Sequence, residues 1–335
     1  MLNSYWEYAG TRYKHKFKVL EASCGNYHDV SFHLFDDPSF KNYDWTVEPA
    51  QSLKSLMVER VHQLRDKYDY IKLWFSGGSD STSVLNTFLT EFVFIDEIVV
   101  YRFSPSRKQN LGDYEIDNYA IPYLESIRQQ IPHTKINIIN FDNDYFEKFL
   151  GDKWFHTKNN LSVRHFHTPK INGKNFCNLV CDGEPSLSNI NNKWHAELWD
   201  TDNYGEFTSY RNMEMFYTTP DMPELHSKQC HMMKNVLIEK GLKERPKYPV
   251  WKDLIRSTVR NTPIAPEPHW FRKPDTSTST NMLAYSLSPK DKIMLRSMTA
   301  SQRDRVQYQM NMSIGGKKLF RLQHGFVAHS FYLGD

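Results

Sequence analysis

Apolar positions follow one another along the chain in two periods, and the order of those periods predicts the architecture. Within residues 49–68, Leu53, Leu56, Met57, Arg60, Val61 and Leu64 recur at helical spacing, with Pro49 where a first turn tolerates proline. Asp69-Tyr70 interrupts that pattern, and Ile71-Lys72-Leu73-Trp74-Phe75 reads as a short apolar strand. A polar run, Ser76-Gly77-Gly78-Ser79-Asp80-Ser81-Thr82, comes next, and Val84, Leu85, Phe88 and Leu89 begin another amphipathic helix. The alternation continues with a strand over 98–103, a helix over 114–130 closed by Ile131-Pro132, a strand over 135–141, a short helix over 144–150 and a strand over 176–180. Strands alternating with helices predict an α/β fold with a Rossmann-like, doubly wound parallel sheet.

The flanks carry weaker patterns. Residues 1–48 read as strands and turns. Within them Arg12-Tyr13-Lys14-His15-Lys16-Phe17-Lys18 alternates strictly and places Arg12, Lys14, Lys16 and Lys18 on one face. That face suits an edge strand protected by lysines, or a basic surface for nucleic acid. Residues 223–241 predict a helix ended by Gly241, the Pro-, Ser- and Thr-rich stretch 262–281 a loop or lid, and 289–312 another helix. Segments 317–322 and 326–333 predict a hairpin turning at His324-Gly325. The expected organisation is a small β element (1–48), an α/β domain (49–245) and an α-rich C-terminal segment (246–335).

Composition narrows the class. At 335 residues with 39% hydrophobic and 14% aromatic residues, the chain is not a disordered polymer. Lys and Arg number 42 against 39 Asp and Glu, a formal charge of +3, so any nucleic-acid contact needs a local patch. Four cysteines fall short of a disulfide scaffold and point to a reducing compartment. No run of about 18 apolar residues occurs. The expectation is a cytoplasmic protein without membrane contact.

Residues 73–82 carry the chemistry. Paired glycines at a strand's carboxyl end let the backbone turn with positive φ and bring its N–H groups close to an anion. The following helix adds free N–H groups and the positive end of its dipole. Ser76, Ser79, Ser81 and Thr82 supply hydroxyls. Together these describe a phosphate or pyrophosphate cradle. An Asp within it would repel the anion, and a Mg²⁺ ion between Asp80 and the phosphates resolves the conflict; the competing role for Asp80 is to cap its own helix.

The Ser76-Gly77-Gly78-Ser79-Asp80-Ser81-Thr82 run resembles the SGGxDS signature of the PP-loop ATP pyrophosphatases, or adenine nucleotide α-hydrolases. It matches neither Walker A nor the dinucleotide GxGxxG. The resemblance implies an ATP- and Mg²⁺-binding domain that cleaves between the α- and β-phosphates, adenylates a substrate carboxylate or carbonyl and holds the leaving pyrophosphate in the loop. Across residues 50–190 the layout looks like the synthetase domain of asparagine synthetases and β-lactam synthetases. Those enzymes carry Gly-Asp-Gly-(Ala/Ser)-Asp-Glu after the fourth strand, where this chain has Cys181-Asp182-Gly183-Glu184-Pro185-Ser186. Asp182 and Gly183 match, Pro185 and Ser186 replace the second acidic pair, and Glu184 could substitute as a ligand. The implied metal set is therefore Asp80, Asp182 and Glu184, with Gly183 also against the nucleotide. Residue 2 is Leu, so the expected enzyme lacks a glutaminase domain and takes its amine from elsewhere. The composition is also similar to PP-loop proteins of tailed phages, which would allow a nucleotide or nucleic-acid substrate and a host cytoplasm.

Adenylation gathers negative charge on the α-phosphate, which calls for a cation. Lys317 and Lys318, after Gly315-Gly316, are the catalytic candidates beside Asp80, because related synthetases draw a lysine from this region; a solvated hairpin start is the plainer account. Arg102, at the end of the second strand near the expected adenine site, is another candidate for that cation, and Phe103 beside it is expected to bind the nucleotide. Cys177 and Cys181, four apart, and His165 and His167, two apart, keep open a sulfur-transfer enzyme, although no CxxC pair exists. His226, Cys230 and His231 suit packing and surface positions of a helix, and Asp200-Thr201-Asp202-Asn203 a turn. A third alternative, prompted by the altered 181–186 segment, is a nucleotide-binding module without catalysis.

Overall fold

The computed structural model describes residues 4–14, 16–23, 27–34, 38–103, 116–141, 147, 175–181, 183, 185–199, 212–246, 250–260 and 327–335. Its first elements are β1 (Tyr5–Tyr8), β2 (Thr11–Tyr13), α1 (Lys16–Ala22), β3 (Val30–His33), α2 (Pro38–Lys41) and α3 (Leu53–Lys67). Then come β4 (Tyr70–Trp74), α4 (Ser79–Thr90), β5 (Glu97–Phe103), α5 (Ile121–Ser126), β6 (Lys135–Phe141) and β7 (Phe176–Val180). The rest are β8 (Leu187–Ile190), β9 (Lys193–Trp199), β10 (Met213–Met215), α6 (Pro223–Glu239), α7 (Val250–Ile255) and β11 (Val327–Tyr332).

Five strands pair in parallel in the order β6-β5-β4-β7-β10. In chain order this is third, second, first, fourth, fifth, so the winding reverses between β4 and β7, the place where such sheets bind ligands beyond their carboxyl ends. Successive side chains point to opposite faces, and both faces are covered. Ile71, Leu73, Ile98, Val100, Cys177 and Leu179 pack with Leu56, Val61 and Leu64 of α3 and Val84, Leu85 and Phe88 of α4. Trp74, Val99, Val180, Met213 and Met215 face the other way, onto Trp6, Phe32, Trp194, Met233 and Trp251. The expected α/β parallel sheet is therefore present, and β6 and β7 carry the expected bounds.

Two smaller antiparallel sheets, β2-β1-β3 and β11-β9-β8, complete the described strands. The strand expected over 12–18 ends early: β2 pairs with β1 only over Thr11–Tyr13, and α1 begins at Lys16 and sends Val19 into the core. Helix α3 starts at Leu53 rather than at Pro49, because the Ser52 hydroxyl accepts from the Ser55 N–H at 3.0 Å. Its expected face is buried at Leu56, Met57, Arg60, Val61 and Leu64. The helix expected over 114–130 is a π-helical turn, Ile116–Ala120, followed by α5. Pro122 lacks the N–H that a continuous ladder needs. Strand β11 pairs with β9. Its expected partner 317–322 lies outside the described residues, as do the helix 289–312, the stretch 262–281 and all but Glu147 of 144–150. No helix among the described residues is long and apolar enough to cross a membrane.

Charge is buried beside the sheet as well. The Glu214 carboxylate on β10 accepts from Arg60 at 2.9 Å, from Lys67 at 2.9 Å and from the Tyr68 hydroxyl, fastening α3 to the sheet edge. Arg60 has no exposed surface, so Glu214 is its compensation for lost water. Glu214→Ala is expected to cost about 3–5 kcal/mol in urea unfolding, and Arg60→Met combined with Glu214→Leu to recover most of that loss.

Candidate functional site

The polar run lies at the carboxyl end of β4, beside the point where the sheet's winding reverses. Phe75 continues the strand direction, its N–H donating to Val99 O at 2.9 Å, and the chain then turns at Gly77 with φ +73. A Cβ there would come within 2.7 Å of the Ala120 Cβ and 2.9 Å of its backbone, so only glycine lets the loop sit against the π-helical turn. Gly78 is the N-cap of α4, and no side chain caps the helix. Among the described residues an added Cβ at Gly78 would meet only Ser76 Oγ, at 3.4 Å, so they make no demand for glycine at this second position.

Hydroxyls shape the loop from within. Ser81 Oγ donates to Gly78 O at 3.2 Å and accepts from the Ser76 N–H at 3.3 Å, while Ser76 Oγ accepts from the Gly78 N–H at 3.4 Å. Ser81 and Thr82 are buried, and Ser79 is half-buried at the head of the helix. Among the described residues, the N–H groups of Gly77, Ser79 and Asp80 have no acceptor. Three backbone donors at the mouth of an uncapped helix are suited to an anion.

The carboxylate of Asp80 is engaged from the protein side. Arg260, at the end of the π-helical turn Arg256–Arg260 that follows α7, donates from Nε to Asp80 Oδ1 at 2.6 Å. Its other nitrogens donate to Gln229 Oε1 at 2.5 Å and Gly183 O at 3.4 Å. The guanidinium lies 3.8 Å from the centre of the Tyr217 ring, whose hydroxyl donates to the Asp80 carbonyl at 3.0 Å. Arg260 is wholly buried and Asp80 retains 22% of its side-chain exposure. Burial works against the Arg260 charge, but Tyr217 and Asp80 outweigh it and hold the guanidinium above its ordinary pKa. Burial likewise pushes the Tyr217 phenol up, so it stays a donor.

The expected sites are therefore placed as follows. Ser76 to Thr82 form one loop and helix start, and Gly183, after β7, meets it through Arg260. Gly183 also packs against Tyr217, where a Cβ would come within 2.6 Å of the Tyr217 Cβ. Phe103 ends β5 on the same edge of the sheet, and Arg102 is paired with Asp117 at 2.9 Å. Asp182, Glu184, Lys317 and Lys318 lie outside the described residues, as do Cys24, His165, His167 and the Asp200 to Asn203 turn. A Mg²⁺ ion at Asp80 would stand beside a desolvated guanidinium, two positive groups on one carboxylate, and no group of three His, Cys, Asp or Glu side chains that could hold a metal occurs among the described residues. The described donors do not fit that ion.

Arg260, Gln229 and Tyr217 were not among the expected site residues. Glutamine in an amphipathic helix and an arginine 180 positions from its partner carry no local signature. Cys177, Cys181 and Cys230 are buried, and burial pushes the Cys177 and Cys230 thiols up, away from the thiolate a sulfur relay needs. Compared with models of protein families and with curated protein sequences, the chain matches none.

Gly77→Ala forces a side chain onto Ala120 and strains the loop. It is expected to cost about 1–3 kcal/mol in chemical denaturation. His226, buried beside this cluster with Nδ1 2.9 Å from Thr218 Oγ1, has its pKa lowered to about 3 by burial and by Arg260. Between about pH 6.5 and 3 the unfolded chain takes up a proton that the folded imidazole refuses, so stability falls as pH drops through that window, by up to about 1.4 kcal/mol per unit. Urea midpoints at about pH 7 and about pH 4 should show that slope, and His226→Gln should flatten it.

Proposed function

We propose that the chain is an ATP-dependent, AMP-forming enzyme that adenylates a carboxylate or carbonyl oxygen and passes the activated group to an amine. The observation that carries this reading is the uncapped N-terminus of α4 behind Gly77-Gly78, set where the parallel sheet reverses its winding. The SGGxDS resemblance supplies the bond that is cut. Gly78 supports it too: nothing among the described residues requires glycine there, which is what close approach of a ligand's phosphates would explain.

In the proposed reaction a lone pair of the substrate oxygen forms a bond to the α-phosphorus. The bond from that phosphorus to the bridging oxygen breaks, and its electron pair leaves with pyrophosphate. The N–H groups of Gly77, Ser79 and Asp80 receive the departing charge without reorganising, because the loop is already held by Gly77 against Ala120 and by Ser81. An amine then attacks the acyl carbon, AMP leaves with the electron pair of the acyl C–O bond, and the nitrogen loses a proton. Charge on the α-phosphate calls for a further cation, the role expected of Lys317 or Lys318.

The ion pair at Asp80 favours a second reading, a nucleotide-binding module without catalysis, because it occupies the carboxylate expected to hold the metal. One set of measurements separates the two. Pyrophosphate should displace a fluorescent ATP analogue from the protein, Gly78→Val should weaken both by at least about tenfold with an unchanged unfolding midpoint, and slow turnover should yield AMP and pyrophosphate. ADP and phosphate as products would overturn α-phosphate cleavage, binding with no AMP across carboxylate libraries would favour the module, and no binding of either ligand would overturn the phosphate site.

A further inference from the structure

The difficulty of a carboxylate inside a phosphate cradle has two physical solutions, an external cation or an internal one. Asp80 has an internal one. Arg260 Nε lies 2.6 Å from its Oδ1, and the guanidinium is fixed by three further segments: Gln229 of α6, the Gly183 carbonyl after β7 and the Tyr217 ring after β10. Such a cation is costly to withdraw from water unless each face and donor is compensated, and here an acid, an amide, a carbonyl and a π-face do so. The Arg260 side chain has no exposed surface, so it is built to meet Asp80 from below rather than to reach a ligand.

We propose that Arg260 is the built-in counter-charge of the β4–α4 loop, neutralising Asp80 so that a diphosphate group binds the loop without a divalent cation on that carboxylate. The proposal rests on the phosphate-site reading and deepens it. Asp80 then has a positioning role: its backbone N–H faces the anion while its side chain is turned to the protein and its carbonyl is held by Tyr217 at 3.0 Å. Arg260 is likewise a positioning residue, acting through Asp80. The same arrangement links the loop to α6, whose Gln229 side chain and α4's Asp80 share one guanidinium.

The test is inorganic pyrophosphate titrated calorimetrically into the full chain, once in excess EDTA and once in excess Mg²⁺. Wild type is expected to bind in EDTA with an affinity within about threefold of that in Mg²⁺. Arg260→Met exposes the loop to an unpaired Asp80 and should weaken binding in EDTA by at least about tenfold, with Mg²⁺ restoring it. Asp80→Asn added to Arg260→Met removes both charges and should return metal-free binding, a rescue that a merely structural role of Arg260 would not give. Should Arg260→Met fail to fold, the charge-free pair alone decides, by binding in EDTA or by demanding Mg²⁺. A wild type that binds at least about tenfold more tightly in Mg²⁺ than in EDTA overturns the counter-charge while leaving the phosphate site standing. No binding in either medium overturns the phosphate site itself.

Discussion

A guanidinium taken out of water has to be compensated wherever the fold puts it, and Arg260 is compensated by four segments that meet at one edge of the sheet. Asp80 comes from the head of α4, Gly183 from the end of β7, Tyr217 from the turn after β10 and Gln229 from the middle of α6. None of these is a sequence neighbour of another. Their convergence follows from the parallel sheet, because parallel strands bring all their carboxyl ends to the same edge. One residue thereby ties the winding-reversal point to the helix that covers the sheet's other side. The loop's geometry depends on that tie: the Asp80 carboxylate, its carbonyl and the first turn of α4 are all held from the protein side.

The same economy appears lower in the sheet. Lys72 and Glu97, facing residues of β4 and β5, are both buried with their charged atoms 3.4 Å apart, and Tyr70 and Asn137 complete the carboxylate's bonds. Glu214 gathers Arg60, Lys67 and Tyr68 at the β10 edge. Pairs of this kind add little net stability over apolar packing, yet a shifted register would strand a charge in the core. They therefore restrict which strand can lie beside which, while the hydrophobic faces of Ile71, Leu73, Ile98 and Val100 supply the drive to collapse.

Four of the five parallel strands were legible because each is a short apolar run bounded by polar breaks, and α3 because its face repeats at 3.6 residues; β10, three residues long, offers too short a run to be read. The β8–β9 hairpin was missed, although Asn191-Asn192, both with positive φ, is a two-residue turn signal between Leu187, Ile190 and the buried alternation of Trp194, Ala196 and Leu198. The 12–18 segment misled in the other direction. Its alternation is real, but a helix that buries Val19 outweighed an edge strand with a single partner over three residues. In the site, the loop could be read because glycine, hydroxyl and helix start are adjacent in the chain. Arg260, Gln229 and Tyr217 could not, because their roles exist only once strand order is known.

That difference changes the chemistry inferred at Asp80. Within the 76–82 run the sequence shows a carboxylate and no cation to offset it beside an anion, so electroneutrality there points to a metal ion from solution. The fold supplies the cation from 180 residues away, in a position shielded from water on every side. With Asp80 and Arg260 cancelling, the described part of the loop offers backbone dipoles and no net charge. An anion held by such a cradle is selected by the fit of its oxygens to fixed N–H directions more than by the size of its charge, since orientation-dependent bonds are lost steeply with misalignment while Coulomb attraction is not. A loop braced by Gly77 on Ala120, by Ser81 on Gly78 and by Arg260 on Asp80 keeps those directions fixed before any ligand arrives.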